Sequence, residues 1–139
     1  LVDEESNPIG IDRSSSFGAD DIVSINQMHL PVNQQVMIHL SSKDVIHGFG
    51  IPEMRIKQDA VPGMTIPFFF TPTITSADFL NKIKGTLREG MGYEIACAQL
   101  CGNSHYRMRG YVTVETESEY HTWLSQQAEY LEEGDDEDW

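Results

Sequence analysis

Four side chains with soft or borderline donor atoms fall within residues 97–108 of this sequence: Cys97, Cys101, His105 and Met108, in the run C-A-Q-L-C-G-N-S-H-Y-R-M. Thiolate and thioether sulfur favour copper and imidazole binds it well, while the carboxylates that would suit calcium or magnesium are missing from the run. Two plainer chemistries compete. One is a local disulfide between Cys97 and Cys101; the other is a pair of reduced, packed thiols with Met108 as apolar filler. Metal binding takes precedence over both, because neither His nor Met adds anything to a disulfide.

The donor count bears on which metal. A structural zinc site needs four Cys or His donors in a tetrahedron, and Cys97, Cys101, His105 and His47 would supply them, but zinc has no use for Met108. A mononuclear blue-copper site takes one Cys, two His and a weak axial Met, which leaves one cysteine unemployed. If both sulfurs bridge two copper ions, each ion can take one histidine and one weak axial donor: Met108 for one, and a backbone carbonyl such as that of Gln99 for the other. Every donor is then used. An odd electron shared over two bridged metals in a rigid cage changes bond lengths little on transfer, which suits electron relay. Hydrolysis has no comparable support, since Asp44, Asp59 and His47 bring no nucleophile with a partnered base.

The elements that must position these donors read as short strands. Two β segments, residues 22–28 and 35–40, are separated by Pro31 and Asn33 as turn residues. Val36, Ile38 and Leu40 share one face, which leaves Met37 and His39 on the other, and His39 and His29 read as strand residues rather than ligands. Residues 45–51 form a third run around His47, and residues 65–71 a fourth, after the Val61-Pro62-Gly63 turn. Phe79, Leu80, Ile83 and Leu87 recur at helical spacing over residues 76–88, with Lys82, Lys84 and Arg88 on the outer face. Residues 93–96 and 111–114 then read as strands bracketing the donor-rich loop. Thr116 and Glu119 make a capping box for a closing amphipathic helix with Tyr120, Trp123, Leu124 and Leu131 on one face. Many short strands with Gly and Pro turns favour an antiparallel sandwich or barrel.

Two separated stretches, residues 41–63 (S-S-K-D-V-I-H-G-F-G-I-P-E-M-R-I-K-Q-D-A-V-P-G) and residues 97–108, together resemble the extramembrane domain of cytochrome c oxidase subunit II. The resemblance covers roughly residues 21–127. It implies an all-β, cupredoxin-like Greek-key barrel with a short C-terminal helix, carrying a binuclear CuA centre of two copper ions. His47 and His105 would be the imidazole ligands, Cys97 and Cys101 the bridging thiolates, Met108 the axial thioether and Gln99 the carbonyl donor. The implied role is to accept electrons from cytochrome c and pass them to haem in subunit I of an oxidase that reduces oxygen and pumps protons. The runner-up is a mononuclear copper-binding or copper-delivery cupredoxin without an oxidase partner. Many members place Glu where this chain has Gln99, so a backbone ligand survives while the carboxylate that helps bind magnesium does not. The family's transmembrane hairpin and its aromatic-rich strand have no counterpart here, and there is no C-x-x-C-H haem attachment sequence.

Length and charge are consistent with such a domain. The chain has 139 residues, 22 acidic against 9 basic side chains and two cysteines, as expected of an ordinary apolar core rather than a disulfide scaffold. No apolar run approaches the roughly 18 residues of a spanning helix, so the chain reads as a soluble fragment anchored through a segment outside it. The acidity lies at the ends: residues 1–21 carry −5 and residues 115–139 carry −10, leaving the middle at +2. Nucleic acid is not an expected partner, whereas a basic cytochrome c is compatible with the charge, and Phe49, Met91 or Tyr106 could offer an apolar docking face. The expected organisation is a polar segment over 1–20, the copper domain over 21–116, a helix over 117–133 and an acidic tail over 134–139. The expected location is the periplasm or outer face of a bacterial membrane, where an unmetallated site would be prone to a Cys97–Cys101 disulfide.

Overall fold

Alternation of apolar and polar side chains builds two β-sheets that share one core. The computed structural model describes residues 10–12, 14–97 and 109–135. Within the unit Ile25–Tyr120 the strands are β1 (Gln27–Pro31), β2 (Val36–Leu40), β3 (His47–Ile51), β4 (Ile56–Ala60), β5 (Ile66–Phe70), β6 (Tyr93–Cys97) and β7 (Arg109–Glu115). A 3-10 turn at Pro52–Met54 follows β3, helix α1 (Ser76–Lys82) precedes β6, and helix α2 (Glu117–Asp135) begins just after β7. One sheet has the order β1-β7-β6-β3-β4 and the other pairs β2 with β5.

Strand parity decides what faces inward. Met28 and Leu30 on β1, Phe49 and Ile51 on β3, Tyr93 and Ile95 on β6, and Val112 and Val114 on β7 converge in the core, joined from the second sheet by Val36 and Phe70. Ile51 is fully buried and Val114 nearly so. Rings bridge the layers: Phe49 and Phe68 lie 5.7 Å apart between centroids, and Phe79 stacks on Tyr93 at 4.4 Å. The outer face of the second sheet pairs Met37 with Phe69, both exposed.

One pairing departs from an all-antiparallel sandwich. β1 runs parallel to β7, from Gln27 opposite Tyr111 to Pro31 opposite Glu115. A parallel pair needs a crossover, and the chain leaves β1 for the other sheet before it returns, so the strand order is interleaved rather than a simple meander. β1 also lies later than the expected strand over 22–28. Asn26 adopts a left-handed backbone (φ 58°) that separates the preceding segment from the ladder, while Met28 and Leu30 supply the inward alternation. Pro31 is tolerated because β1 is an edge strand.

The remaining departures have similar local causes. β4 escaped notice because its sequence, I-K-Q-D-A, has only two apolar residues, yet its pairing with β3 turns Ile56, Gln58 and Ala60 to one face. Asp59 is therefore a strand residue, opposite Gly48. Helix α1 stops at Lys82, well short of Arg88. Thr75 caps its start by accepting from Asp78 N–H at 3.2 Å. After it, Thr86 Oγ1 donates to the Ile83 carbonyl at 2.6 Å and Gly85 takes φ 81°, so Lys84, Leu87 and Arg88 lie in turns. One arm of the expected capping box forms at the start of α2, where Thr116 Oγ1 accepts from Glu119 N–H at 3.4 Å, and the Glu119 carboxylate turns back to accept from the Thr116 hydroxyl at 2.9 Å.

In the other unit, Leu1–Ser24 with His121–Trp139, Asp12 organises a tight turn by accepting from Ser14 N–H and Ser14 Oγ. A Cβ on Gly18 would sit 2.4 Å from the Asp12 carbonyl oxygen, so only glycine fits there.

Candidate metal centre

His47 opens β3 and Cys97 closes β6, so an antiparallel pair brings two residues fifty positions apart to the same end of the sheet. Phe49 sits opposite Cys97 and Gly50 opposite Ala96. His47, two residues before Phe49, is therefore a diagonal neighbour of Cys97 on the inward face. Their polar ends meet: Cys97 Sγ lies 4.0 Å from His47 Nδ1. The backbone N–H of Gly48 donates to the same sulfur at 3.4 Å. Below them Phe49 and Ile95 pass into the core, and a cleft of about 500 Å³ opens alongside, bordered by Asn26, Gln27 and Arg109 at the starts of β1 and β7.

The second nitrogen of the imidazole is also engaged. His47 Nε2 donates to Asp44 Oδ1 at 2.7 Å. A carboxylate can only accept, so this contact places the proton on Nε2 and leaves Nδ1, the nitrogen facing Cys97, with its lone pair free in the neutral ring. The hydrogen bond that His47 donates to Asp44 raises the His47 pKa; burial opposes it and the nearby Cys97 adds to it. The same bond is the main reason the Asp44 carboxyl falls to about 2. Asp44 is 69% exposed, so solvent screens the pair and its value lies in orientation more than in stability.

These two side chains fit a soft metal ion. Metal bonds to imidazole nitrogen and thiolate sulfur are about 2.0 and 2.3 Å long. The 4.0 Å gap is shorter than their sum, so one ion can bond both atoms without moving the strands. The hydrogen-bonded Nε2 and the Gly48 N–H are the outer contacts that fix ligand orientation and stabilise a thiolate. Among the described residues no three or more His, Cys, Asp or Glu side chains cluster as a metal site. Of the expected set, His47 and Cys97 come together, and Gln99, Cys101, His105 and Met108 lie outside the described residues.

Other expectations resolve more simply. His39 is exposed on the outer face of β2, and His29 Nδ1 donates to the Glu115 carboxylate across the β1–β7 pair, so neither is brought to His47. Phe49 is half-buried, packing against the core while it borders the cleft beside His47. Met91 is 52% exposed, and Tyr106 lies outside the described residues. Sequence reasoning weighed Asp44 only as a hydrolytic residue and missed its bond to His47. An acid three residues before a candidate histidine was the available signal. Nothing in the sequence marked the Gly48 N–H.

A family model described as cytochrome c oxidase subunit II, periplasmic domain, matches residues 15–116. The alternative cytochrome c oxidase subunit 2 of Bradyrhizobium diazoefficiens is 43% identical over 122 residues, which is 87% of this chain and 39% of that protein. The chain thus spans about two fifths of this relative's length. The crystal structure of the periplasmic domain of subunit II of cytochrome oxidase (CoxB) of Bradyrhizobium japonicum superposes with a TM-score of 0.61 at 24% identity, covering 87% of this chain and 75% of that one. That likeness establishes an all-β, cupredoxin-like fold. A mixed disulfide intermediate between a thioredoxin-like protein and subunit II of cytochrome c oxidase is 26% identical with a TM-score of 0.56, covering 76% of this chain and 63% of that one. Among the described residues no helix is long and apolar enough to cross a membrane.

Proposed function

From the premise that this chain belongs to the cytochrome c oxidase subunit II family, periplasmic domain, we propose that it relays single electrons through a binuclear copper centre. His47, Cys97, Gln99, Cys101, His105 and Met108 would hold the two copper ions, with the two sulfurs as bridges. Bound copper would supply a one-electron couple shared over both ions. The electron would arrive from cytochrome c and leave to haem in subunit I of a haem-copper oxidase, at the outer face of a bacterial membrane. The 4.0 Å approach of His47 Nδ1 to Cys97 Sγ is the observation that supports this reading best, since it joins the two motifs at one end of a packed core.

The chain's own residues do specific work in this reading. β3 and β6 fix the two donor side chains from a ladder whose inward neighbours are buried, so little can move when charge changes. Asp44 selects the ring nitrogen offered to the metal, and the Gly48 N–H favours sulfur as thiolate. Before metal arrives, Cys97 and Cys101 would be open to oxidation as a disulfide. The mixed disulfide between a relative and a thioredoxin-like protein supports a thioredoxin-like reductant as a further partner.

Electron paramagnetic resonance with copper quantitation on the copper-loaded, partly oxidised chain tests the proposal. Two coppers per chain with hyperfine splitting shared equally between them is the expected result. Splitting from one copper would instead favour the mononuclear delivery protein, and a silent zinc-containing sample would remove electron transfer altogether.

A further inference from the structure

We infer that Ser42 is a positioning residue for the metal centre, acting through Asp44 to set which nitrogen of His47 carries the proton. The inference rests on the copper reading for its purpose, while the geometry behind it lies within residues 42–47. Ser42 Oγ donates to the Val45 carbonyl at 2.5 Å and lies 3.3 Å from Asp44 Oδ1. That same oxygen accepts the Nε2–H of His47 at 2.7 Å. Ser42 is itself fixed by a parallel bridge to Pro62, beyond the end of β4. The hydroxyl therefore closes the turn over residues 42–45 from an anchored position and sits against the one carboxylate oxygen that orients the imidazole.

Exposure makes such an anchor necessary. With Asp44 at 69% exposed, water competes for its carboxylate, and holding a mobile acid against a histidine costs rotamer entropy that an exposed pair barely recovers. Closing the turn restricts the backbone that carries Asp44, so less freedom remains to be lost when the Asp44–His47 bond forms. Without the hydroxyl, the bond opens more often, and Nδ1 takes the proton in a larger share of neutral rings. A metal ion approaching Cys97 then meets an N–H where it needs a lone pair.

The test uses the reduced, copper-free chain with nitrogen-15 in its histidines, and reads the His47 tautomer ratio from the ring shifts at mildly alkaline pH. Ser42→Thr and Ser42→Val are nearly isosteric and differ in the hydroxyl. Ser42→Thr is expected to match the parent, while Ser42→Val raises the Nδ1–H fraction several-fold. In a second measurement on the Cu(I)-loaded chain, loss of copper to a chelator should quicken about 3- to 10-fold in Ser42→Val, less than the roughly 10- to 100-fold typical of a group bonded directly to a ligand. In an Asp44→Asn background the Ser42 substitutions should have no further effect on the ratio, which a general loosening of the loop would not produce. Equal tautomer ratios in Ser42→Thr and Ser42→Val overturn the inference. If Ser42→Val does not fold, Ser42→Ala against Ser42→Thr makes the same comparison. A parent chain that fails to bind two coppers while the tautomer shift persists refutes the binuclear reading and leaves standing only that Ser42 sets the His47 tautomer.

Discussion

Replacing Arg88 by Ala should destabilise the fold by about 2 kcal/mol, and the reason lies in a carboxylate far from the metal end. Glu53, in the turn after β3, has a side chain only 6% exposed, and Arg88 binds its Oε1 at 2.7 Å while its Oε2 is buried with no hydrogen-bond partner. Breaking a fully buried ion pair by removing one partner costs about 3–5 kcal/mol, because the other charge is left uncompensated. Two features lower that figure here. Arg88 is half exposed, so the pair already shares its field with solvent, and Arg55 borders the same cavity beside Glu53. With a urea dependence of about 2 kcal/mol per molar, the midpoint should fall by about 1 M. Removing the acid as well should reverse most of the loss. Glu53→Met with Arg88→Ala leaves no buried charge and no orphaned oxygen, and the double variant should recover at least half of the single variant's deficit. Equilibrium urea unfolding followed by fluorescence and circular dichroism, over the four corners of the cycle, measures this. A single variant within about 0.5 kcal/mol of the parent, the range of ordinary surface changes, or a double variant no better than Arg88→Ala, would show that Glu53 is not held as a buried charge.

Two further outcomes follow from the core. Burial, with a smaller contribution from Glu53, raises the pKa of Tyr93, whose hydroxyl donates to the Ile74 carbonyl at 3.1 Å. A raised folded-state value means stability is complete below the unfolded value of about 10 and falls as pH rises through the folded value. Tyr93→Phe should therefore lose about 1 kcal/mol at neutral pH with the hydrogen bond but unfold less steeply in alkali. Parallel alkaline curves for the two proteins would contradict this. Ile51→Ala, at a fully buried position, should cost about 3–4 kcal/mol by chemical denaturation, and a loss under about 1 kcal/mol would mean that the site collapses around the gap.

How much was legible in the sequence divides along physical lines. Strands with a clear alternation, such as β2 and β7, and the capping box at Thr116 could be read directly because local patterns encode them. β4 could not, since a strand that buries Ile56 and Ala60 but shows Lys57 and Asp59 outward looks polar until β3 lies beside it. The parallel partnership of β1 and β7 joins residues more than eighty positions apart and leaves no local mark. At the candidate metal centre, residue types pointed to the donors, and the structure added what spacing cannot carry: Nδ1 of His47 faces Cys97, Asp44 holds Nε2, and the Gly48 N–H is directed at the sulfur. The helical spacing over 76–88 yields a helix only to Lys82, because Thr86 and Gly85 compete with helix continuation more strongly than the spacing of Ile83 and Leu87 supports it.

The parallel pair also has a mechanical meaning. The first strand of this unit starts beside the metal end and its last strand finishes at the opposite end, so the chain enters and leaves the sheet at opposite poles. Tension applied through the two would slide β1 along β7, loading the hydrogen bonds from Gln27 to Pro31 together rather than peeling them in turn. Loaded in this way the pair is held in shear, the geometry in which a short ladder resists force best.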